Sequence, residues 1–375
     1  MTVLIVLLFS IYFLFVAVIL IGLDKLKRGL PLTQMKNTPL VSIVIAARNE
    51  ESKIRFVIND ILKQTYSHYE VIIVDDHSTD NTAEVVSEFT RDTKIKILNN
   101  RKHGKKEALT LGIQNARGTI IVTTDADCRL PTTWLQKILL MFDNSETQLV
   151  FGGVRIIASS FFSSLQAHEF MSLIGTAAAS AAFGLPTMCN GANLAFRKTA
   201  FDSVEGYSGT LHIPSGDDEF LMQKILKRYP DSVRFVSDQG AVVSTLPAEN
   251  LLEFVHQRLR WAGKWRYSFS LTTMTVAVFI FSFHIAVLVL PVLTIMGSVP
   301  FFVCVFLMLT KFLLEAVFLK KTASFLAVLW RWRDFFILQI VYSFYAVGIG
   351  LISTFSTFRW KGRKLKSFTV STVKK

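Results

Sequence analysis

The chain has 375 residues, of which 51% are hydrophobic, and 41 Lys and Arg stand against 28 Asp and Glu for a net charge of +13. That length has room for about two domains, and a mean hydropathy of +0.41 is too apolar for an ordinary soluble protein. The three cysteines, Cys128, Cys189 and Cys304, have neither metal-ligand nor disulfide spacing, which excludes a zinc module or disulfide scaffold and fits a reduced, cytosol-facing domain.

Val3 to Leu23 carries no charge and is long enough to span a bilayer once. A cleaved signal peptide is disfavoured, because a basic leader and a small-x-small cleavage site are both missing. Lys25, Lys27 and Arg28 follow the span, so the positive-inside rule puts the next segment in the cytoplasm. Residues 1–28 therefore read as an N-terminal transmembrane anchor.

From Pro39 the pattern becomes soluble α/β. Val41 to Ile45 is a β-branched strand ending at Ala46-Ala47-Arg48-Asn49-Glu50, and a helix follows over Ser52 to Lys63. Glu70 to Val74 is a second strand, stopping at Asp75-Asp76-His77-Ser78-Thr79-Asp80-Asn81, a cluster suited to cap a helix from Thr82. Lys94 to Leu98 is a third, leading through a polar loop to a helix that ends at Ala116. Gly118 to Val122 is the fourth, and Thr123-Thr124-Asp125-Ala126-Asp127-Cys128 follows it. Alternating strands and helices imply parallel βαβ units, with ligands at the C-terminal strand ends, where these acids fall.

The second half is less regular. The pattern predicts a strand over Val150 to Ile157, a helix over Ser163 to Ala182, a turn at Cys189 to Asn193 and a short strand over Leu194 to Arg197. An acidic loop, Gly216-Asp217-Asp218-Glu219, introduces a helix over Phe220 to Arg228; Val233 to Val236 and Ala241 to Val243 are the last strands. After Pro247 a helix starts at Asn250 as N-cap, with Glu253 completing a capping-box-like pattern. Gln257, Arg260 and Trp261 share one of its faces. With Arg258, Lys264 and Arg266 it has the basic character of a helix along headgroups, so residues 247–270 read as an interfacial helix.

Two further spans, Leu271 to Leu293 and Val299 to Phe318, are followed by Lys320-Lys321, and Phe335 to Phe355 is also long enough to cross. Lys311 and Glu315 lie four apart and can neutralise each other. The tail from Phe358 holds seven Lys or Arg and no acid, which suits anionic headgroups better than nucleic acid, for which no binding pattern is present. Three full passes over residues 271–357 would put that basic tail, 358–375, outside, against the positive-inside rule. Either one stretch is re-entrant, or Ala323 to Phe355 folds as a hairpin.

Several residues can carry chemistry. Asp125 and Asp127, two apart after a strand, present hard oxygen ligands on one face for Mg²⁺ or Mn²⁺ and, through it, a diphosphate. Asp75 and Asp76 are adjacent, so one of them faces a ligand as acceptor for a base or ribose. One of Asp217, Asp218 and Glu219 can serve as general base, and Lys105 or Lys106 and Arg260 can offset a leaving diphosphate. Trp261 offers a flat face for stacking on a sugar or base. Singly, these are also a helix-capping turn, a helix N-terminal acid cluster and an interfacial aromatic anchor; their order on an α/β pattern between membrane segments favours a site.

The set Ala47-Arg48-Asn49-Glu50, Val74-Asp75-Asp76, Gly104-Lys105-Lys106-Glu107-Ala108-Leu109, Thr124-Asp125-Ala126-Asp127, Asn190-Gly191-Ala192-Asn193-Leu194-Ala195-Phe196-Arg197, Asp217-Asp218 and Gln257-Arg258-Leu259-Arg260-Trp261 resembles the inverting family 2 glycosyltransferases of GT-A fold. The membrane-embedded branch of cellulose, hyaluronan and ceramide glucosyl synthesis is most similar, over Pro39 to Trp265. The resemblance implies a cytoplasmic GT-A domain over 39–246, a mixed and mainly parallel sheet flanked by transmembrane helices in the cell (inner) membrane. It also implies that Ala47 and Glu50 line a uridine pocket, Asp75 or Asp76 reads the base, and Lys105 touches the diphosphate. Asp125 and Asp127 are then the D-x-D pair, with Asp127 gripping the metal. Asp218 matches the catalytic base; Asp217 stands where Glu is common and Glu219 is added, so Asp217 is the second candidate. Gln257, Arg260 and Trp261 match the Q-x-x-R-W motif that guards the diphosphate and acceptor terminus, and Cys189 falls near the acceptor-facing position of the polymer synthases, although its surroundings differ. The few apolar segments favour a lipid or lipid-linked acceptor; a processive polysaccharide synthase, with a partner subunit for export, is the alternative, and a non-catalytic nucleotide-sugar scaffold is a third reading.

Overall fold

The computed structural model describes residues 2–28, 38–213, 215–263, 271–353, 358–360 and 363–365. Its elements run α1 (Thr2–Arg28), β1 (Val41–Ala47), α2 (Ile54–Leu62), β2 (Tyr69–Asp75), α3 (Thr82–Ser87), β3 (Ile95–Asn99), α4 (Lys105–Gln114), β4 (Ile120–Thr123) and α5 (Trp134–Leu139). They continue with β5 (Leu149–Gly152), β6 (Val154–Ile156), α6 (Phe161–Ala182), β7 (Leu194–Arg197), α7 (Lys198–Ser203), α8 (Asp217–Arg228), β8 (Val233–Val236), β9 (Val243–Thr245) and α9 (Leu251–Ala262). Last come α10 (Leu271–Ile295), α11 (Phe301–Leu326), α12 (Trp332–Ser353), β10 (Phe358–Trp360) and β11 (Arg363–Leu365).

Among the described residues seven strands form one sheet in the order β3-β2-β1-β4-β7-β5-β8, with β7 antiparallel to both neighbours and the other pairs parallel. This is the mixed, mainly parallel sheet that the resemblance implies, and its parallel units are those of the alternating pattern. β1 and β2 are almost wholly buried, as strands covered on both faces must be. Helix α2 presents Ile54, Val57, Ile58 and Ile61 at helical spacing to the core. Helix α4 approaches β1 so closely that a Cβ on Gly112 would lie 2.4 Å from Val44 Cγ1. The register aligns Ala47 with Asp75 and Asp75 with Asn99, so their loops leave from one edge of the sheet. Thr123, opposite Val44, sends Asp125 to the same edge.

Glu70 ties this sheet together from inside. Ser42 Oγ (2.7 Å), Arg117 N (2.7 Å) and Arg117 Nε (2.9 Å) all donate to its buried carboxylate. Burial alone would raise its pKa, but those donors and Lys96 outweigh burial and hold it below the usual carboxylate value. A carboxyl lowered in the folded state stabilises the fold above its unfolded pKa, and that stability is lost as pH falls through the lowered value. Glu70→Gln is therefore expected to cost about 1–3 kcal/mol at neutral pH and to flatten the acid side of a thermal-stability profile. An unchanged acid branch in the variant would remove Glu70 from that role.

In the catalytic half several elements differ from expectation. The strand foreseen over Val150 to Ile157 is two, because Asn193 wedges in: a Cβ on Gly152 would lie 2.3 Å from Asn193 Nδ2, which donates to Gly153 O and Ala241 O. β5 stays in the main sheet and β6 pairs with β9. Helix α8 begins at Asp217, so the three acids lie in its first turn rather than in a preceding loop. The last strand starts at Val243, because residues Gln239–Ala241 form a 3-10 turn capped by Asp238. Arg258 does not face headgroups: it is 3% exposed and paired with buried Glu169 of α6.

Among the described residues four helices are long and apolar enough to cross a membrane: α1, α10, α11 and α12. Among the described residues the stretch from Ala323 is not a hairpin: residues through Leu326 complete α11, Ala327 ends it in a left-handed conformation (φ 52°), and Trp332–Ser353 is one helix. Lys320 and Lys321 therefore lie inside α11, where Lys321 pairs with Asp24 at 2.7 Å. Lys311 and Glu315 do pair, at 2.9 Å. Residues 264–270, 354–357, 361–362 and 366–375, which include most of the foreseen basic tail, lie outside the described residues.

Candidate active site

The loops after β1 and β2 lock each other. Arg48 Nη1 donates to Asp76 O (2.7 Å), and Asn49, at φ 53°, accepts from Thr79 N through Oδ1 (2.8 Å). Glu50 is buried, and its N–H donates to Thr82 Oγ1 (2.8 Å); Ala47 is buried at the end of β1. The two adjacent aspartates diverge, as their spacing requires. Asp76 turns inward and accepts from Asn100 Nδ2 (2.9 Å) and Gly104 N (3.0 Å), which fixes the loop ahead of α4. Asp75 accepts from Ser78 N through Oδ2 (3.2 Å), while its buried Oδ1 has no hydrogen-bond partner among the described residues. An orphaned buried carboxylate oxygen at a strand end suits an incoming N–H donor.

Lys105 and Lys106, at the start of α4, separate just as clearly. Lys106 is buried and donates to Thr210 O (2.7 Å) with its ammonium over the Phe220 ring. Lys105 enters the site, 2.7 Å from Asp125 Oδ1 and 3.2 Å from Asp217 Oδ2. Burial would lower its ammonium, but Asp125, Asp217 and Asp218 outweigh burial and raise it well above the usual lysine value. Lys105 therefore keeps its positive charge.

Asp125, Asp127 and Cys128 place one ligand atom each within 4.8 Å of one another. The Cys128 thiol is buried, and burial together with Asp125 and Asp127 pushes its pKa well up. A protonated thiol is a poor ligand, so the available set is two carboxylates, which fits Mg²⁺ or Mn²⁺ better than a soft metal.

The other wall is the 3-10 turn Gly191–Asn193 and the first turn of α8. Thr123 Oγ1 donates to Gly191 O (3.0 Å), fixing the turn to the end of β4. Asp218 accepts from Gly191 N through Oδ2 (2.9 Å) and from Glu219 N through Oδ1 (2.7 Å), so two backbone donors set its orientation. Asp217 instead meets Lys105. Gly191 lies among all of these: a Cβ there would be 3.2 Å from Asp217 Oδ2 and 3.6 Å from Lys105 Nζ. Gly191→Ala is expected to lower turnover about tenfold by shifting the acid and the lysine by a few tenths of an ångström, with the melting temperature nearly unchanged. Wild-type kinetics in that variant would contradict this placement.

Helix α9 brings the last group. Asn250 caps it by accepting from Glu253 N (2.9 Å), while Glu253 Oε2 accepts from Glu249 N (2.8 Å), one residue earlier than a capping box would have it. Arg260 lies within electrostatic range of the aspartates: burial lowers its guanidinium pKa, and Asp217, Asp125 and Asp218 pull in the opposite direction. Gln257 and Trp261 turn towards Arg258 instead. Gln257 Oε1 accepts from Arg258 Nη1, and the Trp261 ring lies 4.3 Å from the Arg258 guanidinium and 5.6 Å from the Phe170 ring. Cys189 is half-buried beside Tyr207.

Sequence reading does not find Tyr207, Asn193 as a structural wedge, or the Glu169–Arg258 pair. Tyr207 is buried near Asp217 and Asp218, and nothing around it in sequence marks it. Asn193 also accepts from Trp134 Nε1 (2.9 Å); its place in a motif suggests importance but not that its amide is used inside the fold.

Residues 42–204 match the family described as Glycosyl transferase family 2. An uncharacterized glycosyltransferase of Haemophilus influenzae is 33% identical over 114 residues, 30% of this chain and 35% of that protein. A poly-beta-1,6-N-acetyl-D-glucosamine synthase of Staphylococcus epidermidis is 27% identical over 226 residues, 59% of this chain and 53% of that protein. The matched region thus spans between about a third and a half of these relatives' lengths. Among solved structures, the mannosyltransferase PcManGT of Pyrobaculum calidifontis, in complex with GDP-Man and Mn²⁺, superposes with a TM-score of 0.58 at 18% identity, covering 94% of this chain and 99% of that one. That likeness establishes the GT-A fold.

Proposed function

We propose that this chain, whose residues 42–204 form a family 2 glycosyltransferase domain, moves a sugar from a nucleotide sugar, with UDP as the carrier, to a lipid or lipid-linked acceptor. The observation that carries this reading is the convergence of Asp125, Asp217 and Lys105, with Asp218 and Arg260 beside them, at the C-terminal edge of the sheet. Nucleotide-sugar chemistry needs this combination: carboxylates for a cation, cations for a diphosphate, and an acid to take a proton.

In this reading Ala47, Glu50 and the unpaired Asp75 oxygen line the base pocket, with Asp76 holding the loop that closes it. Lys105 and Arg260 meet the diphosphate. A divalent cation, Mn²⁺ or Mg²⁺, held by Asp125 and Asp127 would neutralise charge on the departing diphosphate. Asp218 accepts the proton of the acceptor hydroxyl as its oxygen forms a bond to C1 of the sugar and the C1–O bond to the diphosphate breaks. A single displacement of this kind inverts C1. Asp217, engaged with Lys105 at 3.2 Å, is less suited to take that proton. Gln257 and Trp261, packed on Arg258, shape the acceptor side.

Residues 39–246 act as the catalytic domain on the cytoplasmic face of the cell membrane, 247–270 follow it along the surface, and 1–28 and 271–357 embed the chain, with the basic tail of 358–375 towards anionic headgroups. A second reading, polysaccharide synthesis with a partner subunit, is favoured by the alignment over 59% of the chain with the poly-N-acetylglucosamine synthase. Purified chain with Mn²⁺ and a panel of labelled UDP- and GDP-sugars separates the two. A lipid-extractable labelled product is expected; label that stays at the chromatographic origin would assign a polymer instead.

A further inference from the structure

Two contacts mark the ends of the membrane bundle. On the catalytic side Asp24 of α1 pairs with Lys321 of α11 (2.7 Å). On the far side Thr2 Oγ1 donates to Ser298 O, between α10 and α11 (2.8 Å). The 22 residue steps of α1 from Thr2 to Asp24 rise about 33 Å, a full hydrocarbon thickness. Between them, Tyr12 stacks on Phe283 of α10 (3.6 Å), and Phe15 meets Phe279 (5.9 Å). Helices α1, α10 and α11 therefore run from one face to the other.

Helix α12 takes a different path. It starts on the catalytic side, where Asp334 accepts from Ser164 and lies 3.7 Å from His168 Nδ1 on α6. Eleven residues later it is still on α6, where Tyr345 Oη donates to Glu169 Oε1 (3.3 Å) and its ring lies 5.6 Å from Phe254 of α9. Helix α6 stays with the catalytic side: it packs on β6 and β8, Gln166 donates to Ala248 O, Glu169 pairs with Arg258, Gly175 abuts Thr322 and Ala179 abuts Gly22. Along α10, Ser343 meets His284 (3.0 Å), but Gly350, further on, abuts Phe281. α12 thus moves back towards the start of α10, whereas a crossing helix would advance towards Ile295. After it, β10 packs against α9. Phe336, Ile340, Phe344 and Leu351, each at least 53% exposed, form one apolar stripe, while Asp334, Gln339, Ser343 and Tyr345 face protein. The outward side of α12 is thus apolar and its polar groups are turned into protein, which suits a helix sunk among acyl chains.

We infer that α12 lies within the catalytic-side leaflet instead of crossing the bilayer, so that three of the described helices, α1, α10 and α11, cross and the chain leaves α12 on the side of the catalytic domain. The lipid-facing partner of the stripe is the upper acyl region of that leaflet. This path also reconciles the seven Lys and Arg that follow Phe358 with the positive-inside rule.

The test is the sidedness of single added cysteines, Ser298→Cys for the far loop and Ser371→Cys or Thr372→Cys for the tail, in the full chain in sealed vesicles of both orientations. The unsubstituted chain supplies the background of its own three cysteines. A membrane-impermeant maleimide should reach the tail cysteine only in vesicles where Ser298→Cys is protected. Labelling of both from the same side would overturn the inference. A second readout guards against misfolded variants: trypsin should leave the basic tail of the unaltered chain intact whenever the far loop faces outward, and its removal there would equally overturn it.

Discussion

Asp218→Asn is expected to lower kcat by about 10²- to 10⁴-fold, the range removed with a general base. Donor affinity should change little, because Lys105 and the Asp125–Asp127 pair remain. The expectation rests on position: two backbone donors, Gly191 N and Glu219 N, hold both Asp218 oxygens, whereas Asp217 meets Lys105. An asparagine has one oxygen, so its amide must face one of those N–H groups. The comparison therefore includes nucleoside diphosphate binding with Mn²⁺, measured by calorimetry. Intact binding with collapsed turnover assigns proton removal to Asp218. Lost binding would mean that the turn carrying Gly191 had moved, and Asp217→Asn with the larger loss of kcat would transfer the role.

The second large effect lies outside the reacting atoms. Arg258→Met is expected to destabilise the protein by about 3–5 kcal/mol, because it leaves a buried carboxylate without its cation. Arg258 and Glu169 are 3% and 5% exposed, and Arg258 Nε donates to Glu169 Oε1 (3.2 Å). The guanidinium also lies over the rings of Phe254 (4.5 Å) and Trp261 (4.3 Å), so one side chain joins α6 to α9. Arg260 is carried by the same helix, and activity should fall along with stability. The double variant Arg258→Met with Glu169→Leu should recover most of the melting temperature, since replacing both charges removes the desolvation penalty along with the pair. Arg258→Met alone melting like the unsubstituted protein would show that the pair contributes nothing to holding α9.

What could be read from the sequence follows from locality. The β-branched runs at Val41 to Ile45 and Glu70 to Val74, each followed by a polar turn and an amphipathic helix, announce parallel units because their signals lie within a few residues. The strand-end acids Asp75, Asp76, Asp125 and Asp127 are legible for the same reason. Whatever depends on residues far apart was not. Val150 to Ile157 looks like one strand until Asn193, 40 residues away, is seen between its halves. Arg258 looks like a headgroup-facing cation until Glu169, 89 residues earlier, is seen beneath it. Residue type alone does not separate Lys105 from Lys106, which only the family resemblance tells apart; they part because one meets Asp125 and the other Thr210. The path of α12 is set by α6 and α9, which composition cannot register; apolarity gives the length of a helix and not its tilt.

The most direct test of the central claim is nucleoside diphosphate release by the purified chain from its nucleotide sugar, first in EDTA and then as Mn²⁺ is added back. Release should be absent in EDTA, rise with Mn²⁺, and stay lost in Asp127→Asn at every metal concentration. Full release in EDTA, or equal turnover by Asp127→Asn, would contradict a metal-diphosphate site at Asp125 and Asp127.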